Sequence, residues 1–318
     1  MRSSLRRHGR LGVAIAGLAL VAACSSGGGQ SSGAGSAAPS AGATVSSATG
    51  ASATGAPAVG TATAVLPRPD HVMVVIFENE NAANVLGTRD APYLTSLAKT
   101  GATFTDAHAE THPSQPNYLA LFSGSTQGVT DDRCLDRLPG DNLGSQLLGA
   151  GLSFVGWSEG LPTVGYTGCA SGDYARKHNP WVDFANLPAS VNQPLSAMPI
   201  DYGQLPTVSF VVPNLCNDMH DCGVPAGDRW AKQVLDPYVT WAQAHNSLLV
   251  VTFDEDSGTR ANHIPTFLVG AGVRATSTDQ RIDHYDLLRT LEQMYGLAPL
   301  GKAADARAIT DVWTTPGR

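Results

Sequence analysis

The chain has 318 residues, a formal net charge of −7 at pH 7 and 42% hydrophobic residues. This length is sufficient for one large core, and the acidic balance argues against nucleic-acid binding, which uses basic surfaces. An anionic substrate would therefore have to be attracted by local positive groups or by a metal ion.

The N-terminus has the pattern of an export signal. Residues 1–10 carry four arginines and no acidic residue, residues 11–23 form a short apolar run, and Cys24 follows two alanines. This pattern predicts a signal peptide, and a cysteine at the cleavage point looks like a bacterial lipobox. We expect residues 1–24 to be a lipoprotein signal peptide with Cys24 lipidated. A plain signal peptide with an incidental cysteine is the alternative.

Residues 25–65 consist almost entirely of small and hydroxyl side chains and carry no charge. Such a segment buries too little surface to offset chain entropy, so we expect a flexible tether. Residues 66–318 then form one domain, with a charge of −11 once the four signal arginines are removed. We expect export, with attachment to the outer face of the cytoplasmic membrane through the lipid anchor only, or extracellular release.

Apolar runs and helical periodicity alternate along the domain. Runs without polar alternation predict strands buried on both faces at His71–Phe77, Ser247–Phe253 and residues 265–273. Further strands are expected at residues 153–158 and 207–212, and helices at residues 91–100, 228–245 and 283–295, with Pro237 as a kink or break. This alternation predicts an α/β fold, with a mostly parallel central sheet covered by helices on both faces.

Ser114 lies between two prolines, ahead of an apolar run that ends at Gly124. Because proline suits the first position of a helix, we predict a helix that begins near Pro116. Ser114 would then face the unpaired N–H groups of the helix start, which attract anions. The alternative is that Ser114 only caps the helix.

Acidic and amide side chains follow both of the best predicted strands, at Glu78 and Asn79 and again at Asp254 and Glu255. Burying these groups is costly unless a cation compensates, so the pattern predicts a divalent-metal site. Oxygen ligands favour Ca, Mg or Mn, and nearby histidines leave Zn or Fe open. Helix caps or solvated turns are the alternative.

Four cysteines beyond Cys24 indicate two disulfides in an oxidising compartment. Cys216 and Cys222 are close in sequence and are predicted to pair, which leaves Cys134–Cys169. The spacing disfavours zinc thiolates.

Further candidate groups lie in three segments. Asp218 and His220 suit a phosphate pocket or a second metal, or else a solvated loop. Lys177 and His178 belong to the dense basic cluster 176–178, a natural phosphate clamp unless it is merely solvated. His284 opens the last helix and faces the same sheet edge if the topology is right.

These segments together resemble the bacterial phosphoesterase family. The resemblance rests on residues 78–79, 111–118, 217–221, 254–258 and 284–285, and extends from about His71 to Trp313. That family contains acid phosphatases and phospholipases C and belongs to the alkaline-phosphatase-like superfamily. Glu80 departs from the family pattern, which has a basic residue there, and Cys216 and Cys222 are not part of it.

The resemblance implies a metal-dependent phosphomonoesterase that works through a phosphoserine, with phosphoinositides among the candidate substrates. It implies Ser114 as nucleophile and metal ligand and Asn117 as a phosphate ligand, with His112, His178 and His220 in the phosphate pocket. His220 is our first choice to protonate the leaving alcohol. The remaining metal ligands would be Glu78, Asn79, Asp254 and Glu255. The alternatives are a phosphodiesterase or phospholipase C, and a non-catalytic phosphate- or metal-binding surface lipoprotein.

Overall fold

A computed structural model describes residues 65–314 of the chain. The predicted signal peptide with Cys24 and nearly all of the predicted tether lie outside the described residues. Within residues 65–314, no helix is long and apolar enough to cross a membrane.

A central sheet of eight strands carries the fold, in the order β10-β2-β9-β8-β1-β7-β3-β6, beside a small hairpin of β4 and β5. The strands are β1 (His71–Phe77), β2 (Ala102–Ala107), β3 (Phe154–Ser158), β4 (Ala170–Ser171), β5 (Tyr174–Ala175), β6 (Asn192–Pro194), β7 (Val208–Val212), β8 (Ser247–Phe253), β9 (Thr266–Gly270) and β10 (Thr276–Ile282). Strand β9 is antiparallel to both of its neighbours, and the other pairings in the sheet are parallel. The predicted mostly parallel sheet is confirmed.

Helices cover both faces of this sheet. They are α1 (Ala82–Val85), α2 (Pro92–Ala98), α3 (Ser114–Ser123), α4 (Leu143–Gly149), α5 (Val224–Ala242) and α6 (His284–Tyr295). Helices α3 and α6 pack together against the face that carries Val74 and Val250. Helices α2 and α5 pack together on the other face, where Trp230 of α5 meets the ring of Phe77 edge-on. The alternation of side chains along β1 explains how adjacent strand positions serve opposite helix layers.

Two helices differ from their predicted form. Helix α3 begins at Ser114, with Pro113 as N-cap, two residues before Pro116, so Ser114 is the first residue of the helix and does not precede it. The first turn of a helix leaves its N–H groups unpaired, so Pro116 fits the third position as well as the first. Helix α5 continues through Pro237 without a break. Its tertiary contacts with the sheet and α2 offset the one backbone hydrogen bond that proline removes.

Both predicted disulfides are present, Cys134–Cys169 and Cys216–Cys222, with Cα atoms 5.5 and 4.6 Å apart. The first joins the irregular segment 125–141 to the β4–β5 hairpin. The second closes the loop that follows β7 and carries Asp218 and His220.

Candidate active site

The acidic side chains meet because β1 and β8 are neighbours in register. Phe77 pairs with Phe253, and the amide of Asp254 donates to the carbonyl of Phe77 at 3.0 Å. Glu78 and Asp254 therefore leave the sheet side by side. Asn79 has a φ of +56°, and this left-handed turn directs its N–H to Asp254 Oδ1 at 3.0 Å. Asparagine tolerates that conformation better than most residues do.

Ser114 lies between these two strand ends. Its Oγ is 3.1 Å from Glu78 Oε2 and 3.1 Å from Glu255 Oε1, and the residue is only 2% exposed. Helix α3 holds the hydroxyl there because its first turn points at the sheet edge where β1 and β8 end. The structure thus brings together the predicted nucleophile and the predicted ligands Glu78, Asp254 and Glu255, with Asn79 beside them.

A second group of side chains approaches Glu78 from the other side. His178 Nε2 lies 3.1 Å from Glu78 Oε1, and His178 Nδ1 lies 3.3 Å from Asp218 Oδ2. Neither contact has hydrogen-bond geometry, and Nε2 and Oδ2 are buried without a hydrogen-bond partner among residues 65–314. Ligand atoms of Glu78, His178 and Asp218 all lie within 4.8 Å of one another, so this buried cluster could hold a metal ion. The sequence pattern assigns His178 to the phosphate pocket and leaves Asp218 to a phosphate pocket or a second metal.

The electrostatics of the cluster favour a cation. Burial, with the Asp254 and Asp218 charges, raises the pKa of Glu78 well above its ordinary value. Burial also raises the pKa of Asp218 to about 7, and burial and Glu255 raise that of Asp254 to about 7. Asp254 Oδ2 has no hydrogen-bond partner in the part of the chain that the structure describes. Buried acids that repel one another and carry unpartnered oxygens are the donor set that a divalent ion stabilises.

The side chain of Asn117, a predicted phosphate-binding residue, bonds to the main chain. The Asn117 amide accepts from the N–H groups of Glu110 and Thr111 and donates to the carbonyls of Thr111 and Pro113. These contacts shape the loop that leads into Ser114. Because these contacts use both the oxygen and the nitrogen of the side-chain amide, the structure shows no atom of Asn117 directed at a phosphate. Phosphate binding by Asn117 stays a prediction.

His284 occupies a similar supporting position. Its Nε2 lies 2.8 Å from the carbonyl of Phe253, at the end of β8, and its Nδ1 lies 2.5 Å from Glu110 Oε2. Burial lowers the pKa of His284, but the Glu110 carboxylate outweighs that effect and raises it to about 9. The protonated ring thus ties β8 to the loop ahead of α3, and both of its nitrogens are already used.

Lys177 and His220 lie at the rim. Lys177 Nζ donates to Asp132 Oδ2 at 2.8 Å and is 3.5 Å from His220 Nε2. His220 Nδ1 is 2.7 Å from Asp221 Oδ1. Both side chains are partly exposed, so they can reach a bound substrate more readily than the buried His178 can.

His112 lies on the side of Ser114 where Glu255 is. Its Nδ1 contacts Glu255 Oε2, and its Nε2 lies 2.9 Å from the carbonyl of Thr259. An open cavity of about 420 Å³ lies next to it, lined by Asn79, His112, Pro113, Glu255, Asp256, Ser257 and Gly258. This cavity gives a ligand access to the ends of β1 and β8.

Three side chains of the site were missed by sequence reasoning. The Tyr118 hydroxyl donates to Glu78 Oε1 at 2.6 Å, and its ring stacks on His178. Tyr118 lies one helical turn after Ser114, a spacing that could have indicated it. Glu110 and Asp132 lie in irregular segments, where no periodicity points to their partners.

The fold agrees with that of two solved structures. The chain superimposes on a protein in the alkaline phosphatase superfamily from Vibrio parahaemolyticus with a TM-score of 0.55 at 14% identity, covering 79% of this chain and 72% of that one. A phosphonate monoester hydrolase from Silicibacter pomeroyi gives 0.51 at 14% identity, with 76% of each chain covered. These likenesses show the alkaline-phosphatase-like fold.

A model of the Phosphoesterase family matches residues 78–298, so the chain belongs to the phosphoesterase family. The chain is 51% identical to the phosphatidylinositol-3-phosphatase of Mycobacterium tuberculosis over 257 residues, 79% of this chain and 85% of the relative. It is 30% identical to the phosphate-repressible acid phosphatase of Penicillium chrysogenum over 229 residues, 66% of this chain and 55% of that protein. The predicted family and its phosphatase character are confirmed.

Proposed function

We propose that the chain is an exported, metal-dependent phosphomonoesterase that works through a phosphoserine at Ser114. One observation carries the proposal: a single buried hydroxyl at the start of α3 lies 3.1 Å from Glu78 and 3.1 Å from Glu255, at the ends of two adjoining strands. An ordinary helix cap would bond the backbone of its own helix, and the hydroxyl of Ser114 contacts carboxylates instead.

The donors present fit a divalent ion. Glu78, Asn79, Asp254 and Glu255, with the Ser114 oxygen, would form an oxygen-rich set, and His178 with Asp218 would extend it on the far side of Glu78. The imidazole makes Mn, Zn or Fe as suitable as Mg or Ca. A bound cation would supply charge that polarises the phosphoryl oxygens and lowers the pKa of the serine hydroxyl.

The chain's own residues account for the remaining steps. Ser114 Oγ transfers its proton to an adjoining carboxylate and forms a bond to phosphorus, while the bond between phosphorus and the leaving oxygen breaks. Lys177 donates to the phosphoryl oxygens, and His220 beside it delivers a proton to the leaving alcohol. A water molecule then attacks the phosphoserine and gives one proton to the neutral His220. The bond between phosphorus and Ser114 Oγ breaks, and the carboxylic acid formed in the first step returns its proton to Oγ.

The relatives supply the candidate substrate. The mycobacterial relative is named for phosphatidylinositol 3-phosphate, and it covers most of this chain, so we extend that substrate class to this protein. The cavity beside His112 is open, which suits a phosphate carried on a bulky headgroup. Export and the lipid anchor remain part of the proposal on the N-terminal pattern alone.

Turnover of p-nitrophenyl phosphate, bis-p-nitrophenyl phosphate and phosphatidylinositol 3-phosphate vesicles tests the proposal. We expect the monoesters to be hydrolysed by the metal-loaded wild type, and the rate to fall by at least about a thousandfold in Ser114→Ala. Ser277→Ala, at an exposed position of β10, is the matched control and should stay within about twofold. Preferred hydrolysis of the diester would favour a phosphodiesterase. Phosphate binding without any turnover would indicate a binding module.

A further inference from the structure

The carboxylate of Asp132 occupies the start of α3. Gln115 N–H, next to Ser114, donates to Asp132 Oδ1 at 3.0 Å, and Lys177 Nζ donates to Asp132 Oδ2 at 2.8 Å. Pro116 has no N–H to offer. A backbone amide at a helix start and a lysine ammonium are the donors that a phosphoryl oxygen would use beside Ser114.

The segment around Asp132 is fixed in place from several directions. The Gln115 side chain donates to the carbonyl of Arg133 at 3.1 Å. Cys134 is bonded to Cys169, and the buried Arg176 donates to the carbonyls of Leu135 and Thr167. The backbone that carries Asp132 is therefore fixed near the helix start, while the partly exposed side chain is free to rotate away from it.

Both members of the pair remain charged. Burial alone would raise the pKa of Asp132, but the hydrogen bonds from Lys177 and the Gln115 amide lower it below its ordinary value. Burial would lower the pKa of Lys177, but the bond to Asp132 raises it. The Asp132 side chain is 28% exposed and that of Lys177 is 21% exposed, so solvent and ligands reach the pair.

We propose that Asp132 is an internal competitor for phosphate, which holds Lys177 and the Gln115 amide until the phosphoryl group of a substrate displaces it. This inference rests on the proposed function and assigns Asp132 the control of phosphate affinity. A bound phosphoryl group would replace the Asp132 carboxylate at Lys177 and the Gln115 amide. Because the contacts with Asp132 are lost when phosphate binds, substrate and product phosphate both bind more weakly. A site that must release inorganic phosphate after each turnover benefits from that weakening.

The competitor can be removed by Asp132→Asn, which keeps an oxygen for the Gln115 amide but has no charge to offer Lys177. We expect inorganic phosphate to bind at least about fivefold more tightly to this variant, because a like charge has been removed and the ammonium freed. The inhibition constant for phosphate and the KM for p-nitrophenyl phosphate should fall by the same factor. Asp132→Glu, which restores the carboxylate, should return both values toward wild type.

The controls separate competition from a structural role. Asp131→Asn makes the same change at the neighbouring exposed residue and should leave phosphate affinity within about twofold. Lys177→Met should weaken phosphate binding and remove most of the effect of Asp132→Asn in the double variant.

Phosphate affinity is measured by titration calorimetry on each metal-loaded variant, without turnover. Tighter binding to Asp132→Asn supports the competitor. Unchanged or weaker binding overturns it, and would show that Asp132 only positions Lys177. A wild type that binds phosphate but hydrolyses no monoester would contradict the proposed function, while the binding comparison would still decide the role of Asp132.

Discussion

Glu78 illustrates what one buried carboxylate requires in this fold. It is fully buried, it accepts hydrogen bonds from Tyr118 and Ser114, and it lies 3.1 Å from His178. Its neighbours include two further acids with raised pKa values, Asp218 and Asp254. Three acids gathered in the interior lower the stability of the protein unless a cation or protons neutralise them. We infer that their concentration around Glu78 serves the proposed chemistry and not the stability of the fold.

Asp254 provides the sharpest test of the proposed metal site at the level of a single residue. Asp254→Asn keeps an acceptor for the amide of Asn79 and removes a buried negative charge. We expect its affinity for Mn²⁺, measured by calorimetry, to fall at least about tenfold. Its thermal stability without metal should be unchanged or higher, since repulsion is relieved.

Asp279→Asn, on an exposed strand position, is the matched control and should bind Mn²⁺ like the wild type. Equal Mn²⁺ affinity in Asp254→Asn and the wild type would show that Asp254 is not a ligand.

At the scale of helices and strands, His284 links the start of α6 to the end of β8. Through Glu110 it also links α6 to the loop ahead of α3. Its pKa rises from 6.5 to about 9 on folding, so the protonated ring stabilises the native state fully below pH 6.5. That contribution is lost as the pH rises from about 6.5 to 9, and amounts to roughly 3 kcal/mol.

Urea unfolding of the wild type and His284→Gln at pH 6 and pH 9 tests this link. The wild type should exceed the variant in free energy of unfolding at pH 6, and the difference should shrink at pH 9. Glu110 and Asp283 are the charged groups that face the ring, and both are present in the two proteins. A difference that is the same at both pH values would contradict the assigned protonation.

The elements also show how far sequence reasoning reaches. Strands β1 and β8 are predicted to the residue, because continuous β-branched runs are a strong signal of burial on both faces. Strand β10 was missed because it lies at the sheet edge and is polar up to Ile282, with Ser277, Asp279 and Arg281 exposed. The start of α3 was placed two residues late, because proline fits any position of the first turn.

For the molecule as a whole, the sequence indicates which residues form the site but not how they divide among its tasks. The strand ends and the Ser114 turn converge as predicted, since parallel strands deliver their carboxyl ends to one edge. The association of His178 and Asp218 with Glu78, and of Asp132 with Lys177, depends on loops fixed by two disulfides and by Arg176. Contacts of that kind leave no periodic signal in the sequence.

The central claim is that Ser114 takes up the phosphoryl group. The most direct test is to mix the metal-loaded protein with excess p-nitrophenyl phosphate at low pH, quench with acid during turnover, and digest for mass spectrometry. We predict one phosphoryl group on the peptide that carries Ser114 in the wild type, and none in Ser114→Ala. Sustained turnover with no modified peptide at any quench time would contradict the claim and favour direct attack by water.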